Sequence, residues 1–279
     1  MENQTVAFVG GGNMASAIVG GLLKSGWQSD LIRVSDPLKA QRDSLENDYG
    51  ITCFEVNSQC IQDVDVIILA TKPQKLREVI GSIREQVSLR KPTIISIAAG
   101  ISIASITRWI GSPMPLIRVM PNTPALVNRG VSGLFANAQC SEEQKSLAGR
   151  IMQAVGQVVW VGQESDIDIV TGISGSGPAY FFKMMEIMIE TAQTHGLDKD
   201  TATTLVLETA AGAAQLAINS ADGPAALRRK VTSPAGTTEA ALVTMESMGI
   251  DLTITKGIDA AIARSETLSD ELGSASGSD

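Results

Sequence analysis

Aromatic side chains make up only 4% of these 279 residues, against 44% hydrophobic residues in all. A core of this composition must be built from Ala, Val, Ile, Leu and the 10 Met, which is a helix-rich, globular signature. Cysteine is also scarce. Cys53, Cys60 and Cys140 are odd in number and lack C-x-x-C spacing, which excludes a disulfide framework and a zinc knot and suits a reducing cytoplasm. The single histidine, His195, stands before Gly196 at an expected helix end, the place of a cap or dipole partner, and no Asp or Glu gives it a triad context. The chemistry is therefore not expected to run on imidazole. Basic side chains are outnumbered 22 to 30, a net charge of −8, which argues against nucleic acid or an anionic membrane as partner. Long apolar runs are missing too. Residues 6–9 are too few for a signal or a span, and the first residues lack a basic region, so a cytoplasmic protein with no membrane role is expected.

The length points to two domains. From Thr5 to about Glu164, short apolar runs at 6–9, 31–34, 66–70, 93–97 and 116–120 alternate with helical patterns such as 14–24 and 76–86. Continuous rather than alternating apolar residues mark buried parallel strands, so residues 1–164 are read as a doubly wound, mostly parallel α/β sheet of the Rossmann, dinucleotide-binding kind. From 165 to 268 the strand signal fades and Ala, Met and Leu recur at helical spacing, with helices expected at 179–195, 199–219, 223–230, 237–247 and 251–268. Several are apolar on more than one face. An all-helical domain this small cannot bury that surface by itself, so a subunit interface is expected. The Ser- and Gly-rich end, 269–279, reads as a flexible tail.

Gly10-Gly11-Gly12-Asn13-Met14-Ala15 follows the first strand and opens the first helix, with Gly10, Gly12 and Ala15 at dinucleotide-fingerprint spacing. Gly10 permits the tight turn, Gly12 lets pyrophosphate approach the backbone, and Ala15 is small enough for helix to pack on strand. Asp36, about 20 residues on, is placed to accept from a ribose 2′-hydroxyl and points to NADH. Ser35, Arg33, Lys39 and Arg42 are near enough in sequence to receive a phosphate, which leaves NADPH open. Three further segments lie at strand ends, where open α/β sheets bind ligands: Ala70-Thr71-Lys72-Pro73, Ser96-Ile97-Ala98-Ala99-Gly100 and Met120-Pro121-Asn122-Thr123-Pro124. Their small residues leave room for nicotinamide and ribose, and Asn122 and Thr123 are candidates to orient a substrate. Ser174-Gly175-Ser176-Gly177-Pro178-Ala179-Tyr180 opens the helical domain, and Lys183 just beyond it reads as a surface lysine.

The segment Val231-Thr232-Ser233-Pro234-Ala235-Gly236-Thr237-Thr238-Glu239 sets hydroxyls, a proline and a glycine before a helical run. Free N–H groups at such a helix start attract an anion, and Thr238 offers a hydroxyl beside it; an N-capped helix entry without ligand is the alternative.

With the glycine fingerprint, 120–124, 174–180 and 231–238 in this order, nearly the whole chain resembles the pyrroline-5-carboxylate reductase family. The resemblance implies a Rossmann domain followed by a helical dimerisation domain, and NAD(P)H-dependent reduction of a cyclic imine, 1-pyrroline-5-carboxylate, to L-proline. It implies Gly10, Gly11, Gly12, Asn13 and Met14 on the pyrophosphate, Ser35, Asp36 and Asn57 near the adenosine ribose, and Ala70, Thr71, Lys72, Pro73, Ile97, Ala98 and Ala99 along the nicotinamide half. The substrate carboxylate is expected on the N–H groups around Gly236, Thr237 and Thr238, with Ser233, Asn122 and Glu164 close by. Thr238 is expected to hydrogen-bond the ring nitrogen. A homodimer at least, or a larger ring of dimers, follows from the same resemblance. Two positions depart from the family pattern: Asp36, which disfavours a 2′-phosphate, and Lys230, whose charge faces either cofactor phosphate or water. A hydroxyacid dehydrogenase would need a lysine after the Gly-x-Gly turn, where Phe181 and Met185 stand instead. A cofactor-binding sensor without turnover is the rival outside enzymes.

Overall fold

The computed structural model describes residues 4–274. Strands β1 Val6–Val9, β2 Ile32–Ser35, β3 Thr52–Phe54, β4 Val66–Leu69, β5 Thr93–Ser96, β6 Leu116–Met120, β7 Gly130–Ala136 and β8 Gly156–Trp160 form one sheet in the order 3-2-1-4-5-6-7-8. The first six are parallel; β7 runs antiparallel to β6, and β8 is parallel to β7. The five expected strands are present, and β3, β7 and β8 are additional. Their sequences hid them for physical reasons: β3 has three residues, β7 carries Gly130 and Gly133, and β8 is half exposed at the sheet edge.

Helices flank the sheet: α1 Asn13–Lys24, α2 Lys39–Tyr49, α3 Asn57–Cys60, α4 Pro73–Arg90, α5 Ile103–Ile110, α6 Glu142–Gln153 and α7 Asp166–Val170. Successive strand residues point to opposite faces, so each strand feeds two cores. On one face Phe8, Val34, Ile68 and Ile95 pack with Ile18 and Leu22 of α1 and Ile151 of α6. On the other, Val9, Ile67, Leu69 and Ile94 pack with Leu76, Ile80 and Ile83 of α4 and Ile106 and Ile110 of α5.

After α7 the helix widens to π geometry across Thr171–Gly175, with Ser176 N–H reaching Thr171 O at 2.8 Å. Then follow α8 Gly177–Thr194, α9 Lys199–Asn219, α10 Pro224–Lys230, α11 Thr237–Ser247 and α12 Ile250–Ser274. His195 N–H bonds back to Thr191 O and Gly196 takes a positive φ, as a helix end requires.

The expected domain boundary lies at 164/165; spatial contact groups the described residues into two compact units. Described residues 4–176 together with 260–274 form one compact unit, and Gly177–Asp259 forms the other. The expected tail also begins too early: residues 269–274 continue α12, and 275–279 lie outside the described residues. Leu272 packs on the α4–α5 side of the core, and a Cβ on Gly100 would meet Leu268 at 3.2 Å. An i,i+4 leucine pair therefore outweighs the Ser and Gly composition around it.

The helical unit is short of interior. Among its described residues Ala202 and Val206 are the buried apolar side chains, while Phe181 and Phe182 are about 60% exposed, at 63% and 62%, and Met248 is 81% exposed. Tyr180, Met184, Met188, Met245 and Ile254 line an apolar groove of about 470 Å³ within it. Surface of this kind is stable only when another surface covers it. Among the described residues no helix is long and apolar enough to cross a membrane, and no group of three or more His, Cys, Asp or Glu is placed to hold a metal.

Candidate active site

The β1–α1 turn is shaped by its glycines. Gly10 has φ +104°, and a Cβ there would lie 2.7 Å from Ala70 O, so both conformation and space demand glycine. Its N–H donates to Ser35 O at 2.8 Å, tying the turn to β2. Gly12 is the N-cap of α1, and no side chain caps the helix, no acid occupies its first turn, and a Cβ on Gly12 would meet nothing within 4 Å. Gly12 and Asn13 are exposed and Met14 is half-buried. An open, uncapped helix start beside a glycine turn fits a pyrophosphate. At the neighbouring strand end Thr71 Oγ1 is buried and has no partner among the described residues, a further place for a ligand group. Pro73 starts α4 at a position that needs no N–H, Lys72 is exposed, and Ala70, Ile97 and Ala99 are half-buried beside buried Ala98. The residues expected to meet a cofactor on this rim lie at the carboxyl ends of β1, β4 and β5.

Three side chains do not do what their positions promised. Ser35 is fully buried and its hydroxyl donates to Phe8 O at 3.3 Å, so it belongs to the sheet interior rather than to the ribose pocket. Asn122 is buried, accepting from Val131 N–H at 2.9 Å and donating to Ser174 O at 3.1 Å. Its amide is occupied by main chain, and it fixes the loop after β6 to the π turn instead of presenting itself to a substrate. Glu164 Oε1 accepts from Ile103 N–H at 2.7 Å, capping α5, and pairs with Arg118 at 3.3 Å. Asn57 stands at the start of α3 and donates to Ser82 Oγ at 3.4 Å.

Arg118 is a residue the sequence reading missed. It is 3% exposed on β6 and also pairs with Asp168 at 3.2 Å, which in turn accepts from Ser265 Oγ of α12 at 2.7 Å. The signal was available: an arginine inside the apolar run 116–120 has to find buried carboxylates.

In the helical unit the residues expected to meet the substrate, Ser233 to Thr238, sit together at the turn between α10 and α11. Ala235 has φ +56° and its N–H donates to Glu239 Oε2 at 2.7 Å. Gly236 is the N-cap of α11; a Cβ there would meet Ser233 O at 3.0 Å, and its own N–H donates to that oxygen. The Gly236 N–H is therefore spent inside the turn, a correction to its expected role, because the turn closes on itself. Among the described residues, the N–H groups of Thr237 and Thr238 have no such partners and no side chain caps α11, and Ser233, Thr237 and Thr238 are exposed. Lys230 pairs with Asp222, so its charge is met within the unit. Lys183 pairs with Glu186 at 2.9 Å on the surface, and Phe181 stands exposed where a dehydrogenase lysine would be required.

The sheet order, the glycine turn and the open helix start define a Rossmann-type, dinucleotide-dependent oxidoreductase. Residues 164–268 match the family described as pyrroline-5-carboxylate reductase dimerisation, and residues 5–100 match NADP oxidoreductase coenzyme F420-dependent. The chain is 44% identical to pyrroline-5-carboxylate reductase of Pseudomonas aeruginosa over 98% of its own length and 100% of that protein. It is 39% identical to the Vibrio alginolyticus enzyme, over 96% and 98%. Among solved structures, the Coxiella burnetii reductase superposes with a TM-score of 0.92 at 38% identity, covering 96% of this chain and 99% of that one. The Plasmodium falciparum reductase with NADP bound gives 0.86 at 27% identity, over 96% and 99%. The chain belongs to the pyrroline-5-carboxylate reductase family.

Proposed function

We propose that this chain reduces 1-pyrroline-5-carboxylate to L-proline with NAD(P)H, holding the substrate on the turn that opens α11. Full-length similarity to reductases of this name carries the reaction; the uncapped α11 start supports the assignment of the turn. The N–H groups of Thr237 and Thr238 receive the substrate carboxylate, aided by the positive end of α11 and the Ser233 hydroxyl. Glu239 places a negative charge nearby, but its carboxylate is engaged by Ala235 N–H and holds the turn in shape. The Thr238 hydroxyl, which has no partner among the described residues, bonds the ring nitrogen and orients the imine carbon. Gly10, Gly12, Asn13 and Met14 hold the cofactor pyrophosphate and Asp36 its ribose, with the strand-end segments from Ala70 and from Ile97 along the nicotinamide half. When bound, NAD(P)H supplies the hydride, and the protein's part is to position and desolvate.

The exposed apolar faces of the helical unit support a homodimer in which one subunit's turn meets the partner's cofactor crevice, and mass measurement in solution would show whether dimers build a larger ring. A cytoplasmic location is the fitting one for a net charge of −8 and free cysteines. The decisive assay follows NAD(P)H absorbance with purified protein: oxidation must require pyrroline-5-carboxylate and yield proline. Cofactor binding with no oxidation on adding the imine would refute the reductase reading in favour of a sensor.

A further inference from the structure

We propose that the rim of β2 selects a cofactor with a free ribose 2′-hydroxyl, so that this chain prefers NADH to NADPH. The inference rests on the dinucleotide reading above. Asp36, next after β2, is half-buried, and both its oxygens already accept from main chain: Oδ2 from Gly11 N–H at 3.0 Å and Oδ1 from Leu38 N–H at 2.9 Å. These bonds fix the carboxylate against the glycine turn. A carboxylate has about four acceptor sites, so two are left for the hydroxyl donors of a ribose. A 2′-phosphate brings no hydroxyl donor at that oxygen and carries about −1.5 to −2 charge at neutral pH, facing a carboxylate that the turn prevents from moving away.

All but one of the groups able to neutralise such a phosphate are committed elsewhere. Ser35 is interior, donating to Phe8 O. Arg33 Nη1 donates to Gln62 O at 2.8 Å. Arg42 donates through Nη1 to Asp36 O at 2.8 Å and Pro37 O at 3.0 Å, and through Nη2 to Glu55 at 3.2 Å, with its side chain only 15% exposed. It braces the backbone of the very loop that would carry the phosphate. Lys39 lies on Asp43 at 2.7 Å, but the pair is exposed and easily parted. Lys39 is therefore the cation a test has to isolate.

The test titrates the purified full-length protein with NADH and with NADPH, reading tryptophan fluorescence quenching without substrate, and measures imine-dependent turnover separately. NADH is expected to bind at least about tenfold more tightly, equivalent to about 1.4 kcal/mol. Adenosine 5′-phosphate should likewise compete better than adenosine 2′,5′-bisphosphate. Asp36→Asn removes the charge and keeps one oxygen, so either Gly11 N–H or Leu38 N–H loses its acceptor; with the fold checked by circular dichroism, it should shrink the ratio by raising NADPH affinity, and Lys39→Ala should leave the ratio unchanged. Equal or tighter binding of NADPH overturns the proposal, as does an unchanged ratio in Asp36→Asn or a selective loss of NADPH binding in Lys39→Ala. The expected ratio without imine-dependent oxidation would uphold the selectivity and sink the reductase reading, whereas turnover at equal efficiency with both cofactors would do the reverse.

Discussion

Replacing Arg118 by Met should unfold this protein far more readily than a change at one strand residue would suggest. The guanidinium is buried between Glu164 and Asp168, at 3.3 and 3.2 Å, with side-chain exposures of 4% for Arg118, 27% for Glu164 and 10% for Asp168. Without it, Glu164 keeps the Ile103 N–H and some solvent. Among the described residues Asp168 keeps only the Ser265 hydroxyl, at 2.7 Å, so the loss falls on a nearly buried carboxylate. Removing one partner of such a pair costs about 3–5 kcal/mol. At roughly 2–4 °C per kcal/mol for a chain of this order of size, the melting temperature should fall by roughly 6–20 °C. Adding Asp168→Asn to Arg118→Met removes the stranded charge and leaves an acceptor for Ser265, so the double variant should be better than the sum of the singles by about 1–3 kcal/mol. Thermal and urea unfolding followed by circular dichroism, at one fixed protein concentration because subunit association contributes to stability, measure the melting temperatures and free energies of all four proteins. A single variant melting within about 2 °C of the parent, or strictly additive effects, would refute the reasoning.

Thr238→Ala should lower kcat by about 100-fold or more while NADH affinity, read by fluorescence, stays unchanged; full turnover would remove Thr238 from the site. Gly10→Ala puts a methyl 2.7 Å from Ala70 O on a residue with φ +104°, so cofactor binding should be lost in calorimetric titration even if the protein folds. Burial pushes the Cys60 thiol up to about 12 and, helped by Glu46, the Cys53 thiol up to about 11. Both should resist a thiol reagent at pH 8 and react once the chain is unfolded. A thiol whose pKa is raised on folding stabilises the native state fully below its unfolded value near 9. For Cys60 that stabilisation is lost as pH rises towards about 12, so a Cys60→Ala variant should show a shallower alkaline loss of stability.

What the sequence determined by itself is what depends on the backbone within a few residues. The Gly10 and Gly12 turn, the strand–helix alternation and the uncapped turn before α11 were legible because a positive φ, a missing Cβ or a free N–H is a local property. The tertiary structure decided which way side chains face and what they meet. Ser35, Asn122 and Glu164 looked available from their neighbours in sequence, yet a central strand, a π turn and the start of α5 occupy their polar atoms. Arg118 acquired its carboxylates from residues 46 and 50 positions away. The end of α12, compositionally a tail, joins the sheet unit because Leu268 and Leu272 find an apolar surface there. Spacing in the chain fixes conformation; only packing across the fold determines which donors, acceptors and charges remain for a ligand.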